Sequence, residues 1–250
     1  MTVTRSGALV VLVVALAGCG GGTSPATSST RATTSSSAAL RSSPVSAVAP
    51  SQVAATPPTT DLPVPAALVD PRLDLRSPPL AAPLALEIPS LTVTSPVLAV
   101  GITTANVMDA PEGPAQDPVW QEAFWYRGGG IPGQKSTATI AGHVDDSLGR
   151  PATFAHLDRL RPGDLVIVRD LRIGLDVKFI VTSAVSYSLE QAASPTVLAQ
   201  IYGAGPVAGT GPQPSVDGLS HLTLITCAGN FDYQLGTHDH RLVVYATRIA

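Results

Sequence analysis

The sequence predicts an all-β fold, either a closed barrel or a sandwich. Short apolar, β-branched segments recur from residue 84 to the C-terminus, and turns rich in Gly and Pro separate them. No helical period continues for more than a few turns. Chains with many short strands and only brief helices form barrels or sandwiches.

Seven segments are predicted as strands. A turn signal, Arg161-Pro162-Gly163-Asp164, precedes the fourth, and the fifth is long enough to bend or carry a bulge. In chain order the segments are Leu84–Ile88, Pro96–Val100, Thr137–Val144, Leu165–Arg169, Val177–Tyr187, His221–Cys227 and Leu242–Arg248.

Two short helices and one loop interrupt the strands. Phe154, Leu157 and Leu160 lie at helical spacing, which predicts a helix over Thr153–Leu160. A second helix is predicted over Pro195–Tyr202. The Gly- and Pro-rich stretch Gly203–Gly218 is predicted as a loop.

The N-terminus has the layout of a bacterial lipoprotein precursor. Arg5 precedes the apolar run Ala8–Leu16, and Leu16-Ala17-Gly18-Cys19 matches a lipoprotein cleavage box. Residues 1–18 are therefore predicted as a signal peptide, with lipid attached to Cys19 of the exported protein. An ordinary cleaved signal peptide is an alternative. A membrane-spanning anchor fits less well, because spanning takes about 20 apolar residues.

Residues 19–80 are predicted as a disordered tether and residues 81–250 as the folded domain. Ser, Thr, Ala and Pro dominate the first of these stretches, which cannot bury enough apolar surface to offset its ordering entropy. The net charge of -3 comes without a basic run, which excludes nucleic acid as the expected partner.

Cys227 is the candidate nucleophile. It ends the apolar strand that begins at His221, and a sharp turn is predicted through Ala228-Gly229-Asn230. If Cys19 is lipidated, Cys227 has no intramolecular disulfide partner, and catalysis is a common reason for a lone thiol in an oxidising compartment. A buried structural cysteine is the alternative.

His143 is the preferred base among five histidines, because it ends a β-patterned strand after Gly142. His156 is predicted as a surface or core residue and His221 as structural. The segment His238-Asp239-His240 lacks clear third and fourth metal ligands. Arg241 is expected to open the last strand, either as an oxyanion donor or in a surface salt bridge with Asp239.

Together these segments resemble the sortases, cysteine transpeptidases of Gram-positive cell surfaces. The resemblance rests on Thr223-Leu224-Ile225-Thr226-Cys227, the earlier Gly142-His143 and the later Arg241, and it extends from about Leu84 to the C-terminus. Further similar motifs are Ile88-Pro89-Ser90-Leu91 in the first strand, Pro132-Gly133 and Pro162-Gly163-Asp164. Ala141-Gly142-His143-Val144-Asp145 and Cys227-Ala228-Gly229-Asn230-Phe231-Asp232 are most similar to class F sortases of actinobacteria.

The resemblance implies a closed eight-stranded β-barrel and a role for each residue. Cys227 would attack a peptide carbonyl, His143 would protonate the leaving amine, Arg241 would stabilise the oxyanion, and Thr226 would line the pocket. The expected partners are proteins with a C-terminal sorting signal and an amine nucleophile from the cell wall or another protein. No cofactor or metal is expected, and the expected location is the outer face of the cell membrane.

Two alternatives stay open at this point. An L,D-transpeptidase also uses a thiol, but its Ser-His-Gly pattern does not precede Cys227. A non-catalytic lipoprotein could bind a surface ligand on a sortase-like barrel. The sequence leaves the sorting signal, the amine and the resting protonation state of Cys227 and His143 undetermined.

Overall fold

Eight strands close into a barrel in the computed structural model, which describes residues 68–69, 73–203 and 212–249. The strands are β1 Leu80–Ile88, β2 Val93–Val100, β3 Ala123–Tyr126, β4 Thr137–Gly142, β5 Leu165–Asp170, β6 Leu175–Ser188, β7 His221–Asp232 and β8 Thr237–Arg248. Two α-helices, α1 Leu189–Ala192 and α2 Pro195–Tyr202, connect β6 towards β7. Short 3₁₀ helices span Pro89–Leu91, Pro118–Gln121 and Leu157–Arg159. The predicted closed, eight-stranded barrel is thus confirmed.

The strand order around the barrel is β1-β2-β3-β4-β7-β8-β6-β5, and β5 pairs with β1 to close it. The pairs β2–β3 and β4–β7 are parallel, and the others are antiparallel. Parallel neighbours need long crossover connections. The segments between β2 and β3 and between β4 and β7 therefore run over the surface of the barrel.

Two apolar clusters lie on opposite faces of the sheet. The larger fills the barrel and includes Leu86, Ile140 and Leu224. The smaller packs outside β3 and β4 and includes Met108, Trp120 and Phe124. Side chains alternate between the two faces of a strand. Ile225 accordingly packs against the outer cluster, and Cys227, two residues further on, lies on the same face.

The prediction missed β3. All four residues of Ala123–Tyr126 are buried, so the strand shows no apolar and polar alternation. Its Ala123 and Trp125 face the inner cluster, whereas Phe124 and Tyr126 face the outer one. A strand buried on both faces produces a continuous apolar run, which periodicity alone does not identify.

The end of the barrel near Cys227 differs from the prediction. β7 continues to Asp232, and a register irregularity between Ala228 and Phe231 replaces the predicted sharp turn. Gly229 has φ +79° at this bulge. β8 begins at Thr237, so Arg241 lies inside the strand and does not open it. The bulge expected in β6 is present between Val181 and Ser183.

Two of the smaller predictions were wrong and one was right. Residues 153–160 form turns and the short 3₁₀ helix Leu157–Arg159, not an α-helix. The motif Ile88-Pro89-Ser90-Leu91 ends β1 and continues into a 3₁₀ helix, because Pro89 cannot donate a ladder hydrogen bond. The predicted helix Pro195–Tyr202 matches α2, which Ser194 caps by accepting from Val197 N.

Residues just before β1 contact the barrel through one arginine. The N-terminal segment 73–79 lies on the barrel, where the Arg127 guanidinium donates to carbonyls of Asp74, Leu75, Ser77 and Pro78. The predicted signal peptide, Cys19 and most of the predicted tether lie outside the described residues, as do residues 204–211 of the predicted loop. Within the described ranges, no helix combines the length and the apolar character that crossing a membrane requires.

Candidate active site

The strand register places the three predicted catalytic residues side by side. In the parallel pair β4–β7, Ala141 lies opposite Ile225, an offset of 225 − 141 = 84 residues. His143 and Cys227 have the same offset, 227 − 143 = 84, so continuing the register by two residues sets them opposite each other. In the antiparallel pair β7–β8, Cys227 lies opposite Arg241. All three residues line one cavity on the outer face of the barrel.

His143 lies one residue beyond β4 and is held from several sides. The β2–β3 connection supplies the Pro111 carbonyl, which is 2.9 Å from His143 Nε2. The imidazole packs against Trp120 and Phe124, with ring centroids 4.7 Å and 5.2 Å away. Burial lowers the pKa of His143, and the Pro111 carbonyl and the Asp145 carboxylate oppose this shift. The resting imidazole is therefore biased towards its neutral form.

Cys227 carries a partly buried thiol. Burial raises its pKa, and the Asp145 carboxylate adds to this, because both disfavour the thiolate. The Arg241 guanidinium and the Thr237 side chain lower the pKa. These opposing effects leave burial dominant, so a neutral thiol beside a neutral imidazole is the favoured resting pair.

Arg241 is only 2% exposed, which excludes the alternative of a surface salt bridge. Its Nη1 donates to the carbonyls of His238 at 2.9 Å and His240 at 2.7 Å, and its Nη2 donates to Thr237 Oγ1 at 3.0 Å. Asp239 instead bonds His240 Nδ1 at 2.7 Å. Among the described residues, the buried Nε of Arg241 has no hydrogen-bond partner. A buried donor without a partner is rare and available to a ligand.

Thr226 lines the same cavity, as expected. It is 4% exposed, and within the described part of the chain its buried Oγ1 has no hydrogen-bond partner. Met108, Ala110 and Tyr202 also line the cavity, and they were not predicted as site residues. Tyr202 ends the predicted helix α2, and its position at the end of that helix could have marked it as a candidate. Met108 and Ala110 lie in the β2–β3 connection, which has neither a helical nor a strand period, so no sequence pattern could have identified them.

The other histidines take separate positions. His156 is exposed. His221 Nε2 lies 3.0 Å from Asp217 Oδ1, at the opposite end of β7 from the bulge, which agrees with a structural role. His238 Nε2 lies 3.4 Å from Asp145 Oδ2. Over the described ranges, no group of three or more His, Cys, Asp or Glu side chains is arranged to hold a metal ion.

Comparisons with known proteins agree with this architecture. Residues 86–249 match the family model of the Sortase domain. Similar solved structures include sortase C-1 from Actinomyces oris, at 20% identity over 67% of this chain and 73% of that chain, with a TM-score of 0.44. Another is a lid mutant of sortase A from Corynebacterium diphtheriae, at 18% identity over 70% and 73%, with a TM-score of 0.45. A third is Group B Streptococcus Pilus Island 1 Sortase C2, at 21% identity over 67% and 73%, with a TM-score of 0.43.

No curated protein gave a match. The family model does not distinguish sortase classes, and the predicted likeness to class F stays a prediction. The family match itself covers well over half of the chain and includes all three candidate catalytic residues. The chain therefore belongs to the sortase family of cysteine transpeptidases.

Proposed function

We propose that the protein cleaves a sorting-signal peptide through a thioester on Cys227 and transfers the acyl group to an amine. The observation that carries this proposal is the arrangement of Cys227, His143 and Arg241 around one cavity. Each residue has the chemistry that one part of acyl transfer needs: a thiol nucleophile, a proton carrier and a cationic donor.

In the first half of the reaction, His143 takes the thiol proton and the Cys227 sulfur attacks the scissile carbonyl carbon. A C–S bond forms, and the carbonyl oxygen gains negative charge. The unpartnered Nε–H of Arg241 is suited to donate to that oxygen. The C–N bond then breaks, and His143 returns the proton to the leaving amine.

In the second half, an incoming amine attacks the thioester carbonyl. Its proton passes to His143, the C–S bond breaks, and the thiol of Cys227 is restored. Water in place of the amine gives slow hydrolysis as the side reaction. Thr226, which lines the cavity, is proposed as a substrate-contacting residue.

We also propose that the enzyme acts at the outer face of the cell membrane, anchored by lipid on Cys19. This part of the proposal rests on the cleavage box Leu16-Ala17-Gly18-Cys19 alone. The substrates would be proteins with a C-terminal sorting signal, and the amine would come from the cell wall or another protein.

The test is mass spectrometry of the full chain after incubation with a library of candidate signal peptides. We expect an acyl adduct on the fragment that contains Cys227, and discharge of the adduct when an amine is added. Cys227→Ala should give no adduct and no transpeptidation while remaining folded, because a thiol at this cavity contributes nucleophilicity more than core volume. Cys19→Ser is the matched control, and its adduct should be unchanged. Product formation by folded Cys227→Ala would exclude Cys227 as the nucleophile.

A further inference from the structure

A contact between a histidine and a carboxylate, outside the proposed chemical steps, joins two parts of the active site. His238 Nε2 lies 3.4 Å from Asp145 Oδ2, and the two side chains are only 12% and 34% exposed. Asp145 follows His143 by two residues on the segment that leaves β4. His238 lies in β8, three residues before Arg241. The pair therefore connects the segment that follows His143 to strand β8, which contains Arg241.

Each member of the pair is itself fixed in place. The ring of His238 packs edge-on against Phe231 of β7, with centroids 5.3 Å apart and planes at 85°. The His238 carbonyl accepts from Arg241 Nη1 at 2.9 Å. Asp145 makes a backbone bridge to Pro151, which holds the segment after His143 in an extended form. Moving the side chain of Asp145 or His238 would therefore also shift His143 or Arg241.

We propose that Asp145 is a positioning residue, held by His238, whose carboxylate controls the charge balance between His143 and Cys227. The proposal rests on the proposed function, since it assigns Asp145 a part in readying those two residues. His238 is the second half of the device, because its Nε2 lies 3.4 Å from the Asp145 carboxylate and holds that side chain in place.

The surrounding charges show how this control works. The Asp145 carboxylate raises the pKa of His143, which favours the imidazolium that protonates the leaving amine. It also raises the pKa of Cys227, which disfavours the thiolate. Arg241 opposes the second effect, and Glu112 reinforces it. The pKa of Asp145 itself is raised by burial and by Asp146, and lowered by His238 and His143.

The experiment measures alkylation of Cys227 by iodoacetamide against pH, on full chains carrying Cys19→Ser so that one thiol reacts. We expect Asp145→Asn to move the midpoint of the alkylation curve to lower pH, because the thiolate then forms without a nearby negative charge. A purely structural role would change the rate by the same factor at every pH. An unchanged midpoint, or one moved to higher pH, would overturn the proposal.

Two variants of His238 form the second arm. His238→Gln keeps an N–H donor for Asp145, and we expect it to retain the kcat/KM for acylation near neutral pH. His238→Phe keeps the ring against Phe231 but removes the nitrogen that faces the Asp145 carboxylate. It should lower kcat/KM by roughly threefold or more, a typical coupling within one network, and it should move the alkylation midpoint to higher pH. Equal kcat/KM values and midpoints for the two variants would also refute the proposal.

Asp217→Asn is the matched control, because it breaks a similar Asp–His pair on the same sheet, remote from Cys227. We expect it to leave the alkylation midpoint and the kcat/KM for acylation unchanged. Alkylation does not need a peptide substrate, so the alkylation arm decides the role of Asp145 even if no thioester forms. If the parent chain forms a thioester but Asp145→Asn leaves the alkylation midpoint unchanged, the proposed function is retained. Only the role of Asp145 is then rejected.

Discussion

At the residue scale, the burial of Arg241 changes what its loss should do. Arg241→Ala removes three hydrogen bonds and leaves two carbonyls and one hydroxyl without their donor. We expect a stability loss of about 1 to 3 kcal/mol. We also expect acylation to slow on the order of a hundredfold or more, because one oxyanion donor is lost. Arg241→Lys should recover little, since an ammonium does not reproduce the planar set of donors.

Single-turnover acylation of Cys227 and urea unfolding, run on the same preparations, measure the two effects of Arg241. Arg169→Ala is the control, because Arg169 lies in an exposed ion pair with Asp176. It should cost roughly 0 to 1 kcal/mol and leave acylation unchanged. An Arg241→Ala acylation rate within about threefold of the parent rate would remove Arg241 from the oxyanion role.

The identity of the site residues was easier to predict than their surroundings. The spacing of His143 and Cys227 could indicate the pairing because it equals the β4–β7 register. Arg241 was predicted to open the last strand, with a surface salt bridge to Asp239 as one of two alternatives, although its guanidinium is buried inside the β7–β8 hairpin. The Pro111 carbonyl beside His143 was also not predictable, because any residue type supplies a carbonyl and the β2–β3 connection has no period.

At the element scale, the bulge in β7 depends on Gly229. Its φ of +79° is unfavourable for other residues, and an added Cβ would meet Asp239 Oδ1 and His240 Nδ1. The bulge lies two residues beyond Cys227. We expect Gly229→Ala to disturb the Asp239–His240 pair, lower the stability by more than backbone strain alone and slow acylation of Cys227.

Gly236→Ala separates strain from crowding in the same hairpin. Gly236 also has positive φ, at +67°, but nothing lies within 4 Å of the position of its added Cβ. We expect about 1 kcal/mol of strain from this control and no change in acylation. Thermal unfolding and acylation of both variants give the comparison. Equal losses in the two would mean that close contact at Gly229 has no role in the site.

Burial on both faces did not by itself prevent the prediction of a strand, because all six residues of β4 are buried and β4 was predicted. The predicted helix Pro195–Tyr202 is present, and Ser194 and Pro195 are start signals that the sequence carries for it. β3 was missed because it has only four residues, all of them buried, which is too short a run to show a period. The 153–160 segment showed helical spacing, yet the three apolar side chains pack into the barrel from turns, so tertiary burial prevailed over local periodicity.

At the scale of the whole molecule, the lipid anchor is a prediction that depends on Cys19. Cys19→Ser should prevent lipid attachment and shift the protein from the membrane to the medium or to a retained precursor. Partitioning into a detergent phase, together with the mass of the N-terminal fragment, measures this. Cys227→Ala should partition as the parent chain does. Unchanged membrane partitioning of Cys19→Ser would show that another feature holds the protein at the membrane.

The contact between Arg127 and the N-terminal segment 73–79 has a consequence for the order of folding. Arg127 follows β3 directly, whereas its acceptors precede β1 and lie 49 to 53 residues away in sequence. Closing such a loop costs entropy that short-range pairing does not. We therefore expect the β1–β2 hairpin to form before segment 73–79 docks on Arg127. Interactions made after the transition state act mainly on the unfolding rate, so this segment slows the opening of the barrel more than it speeds its formation.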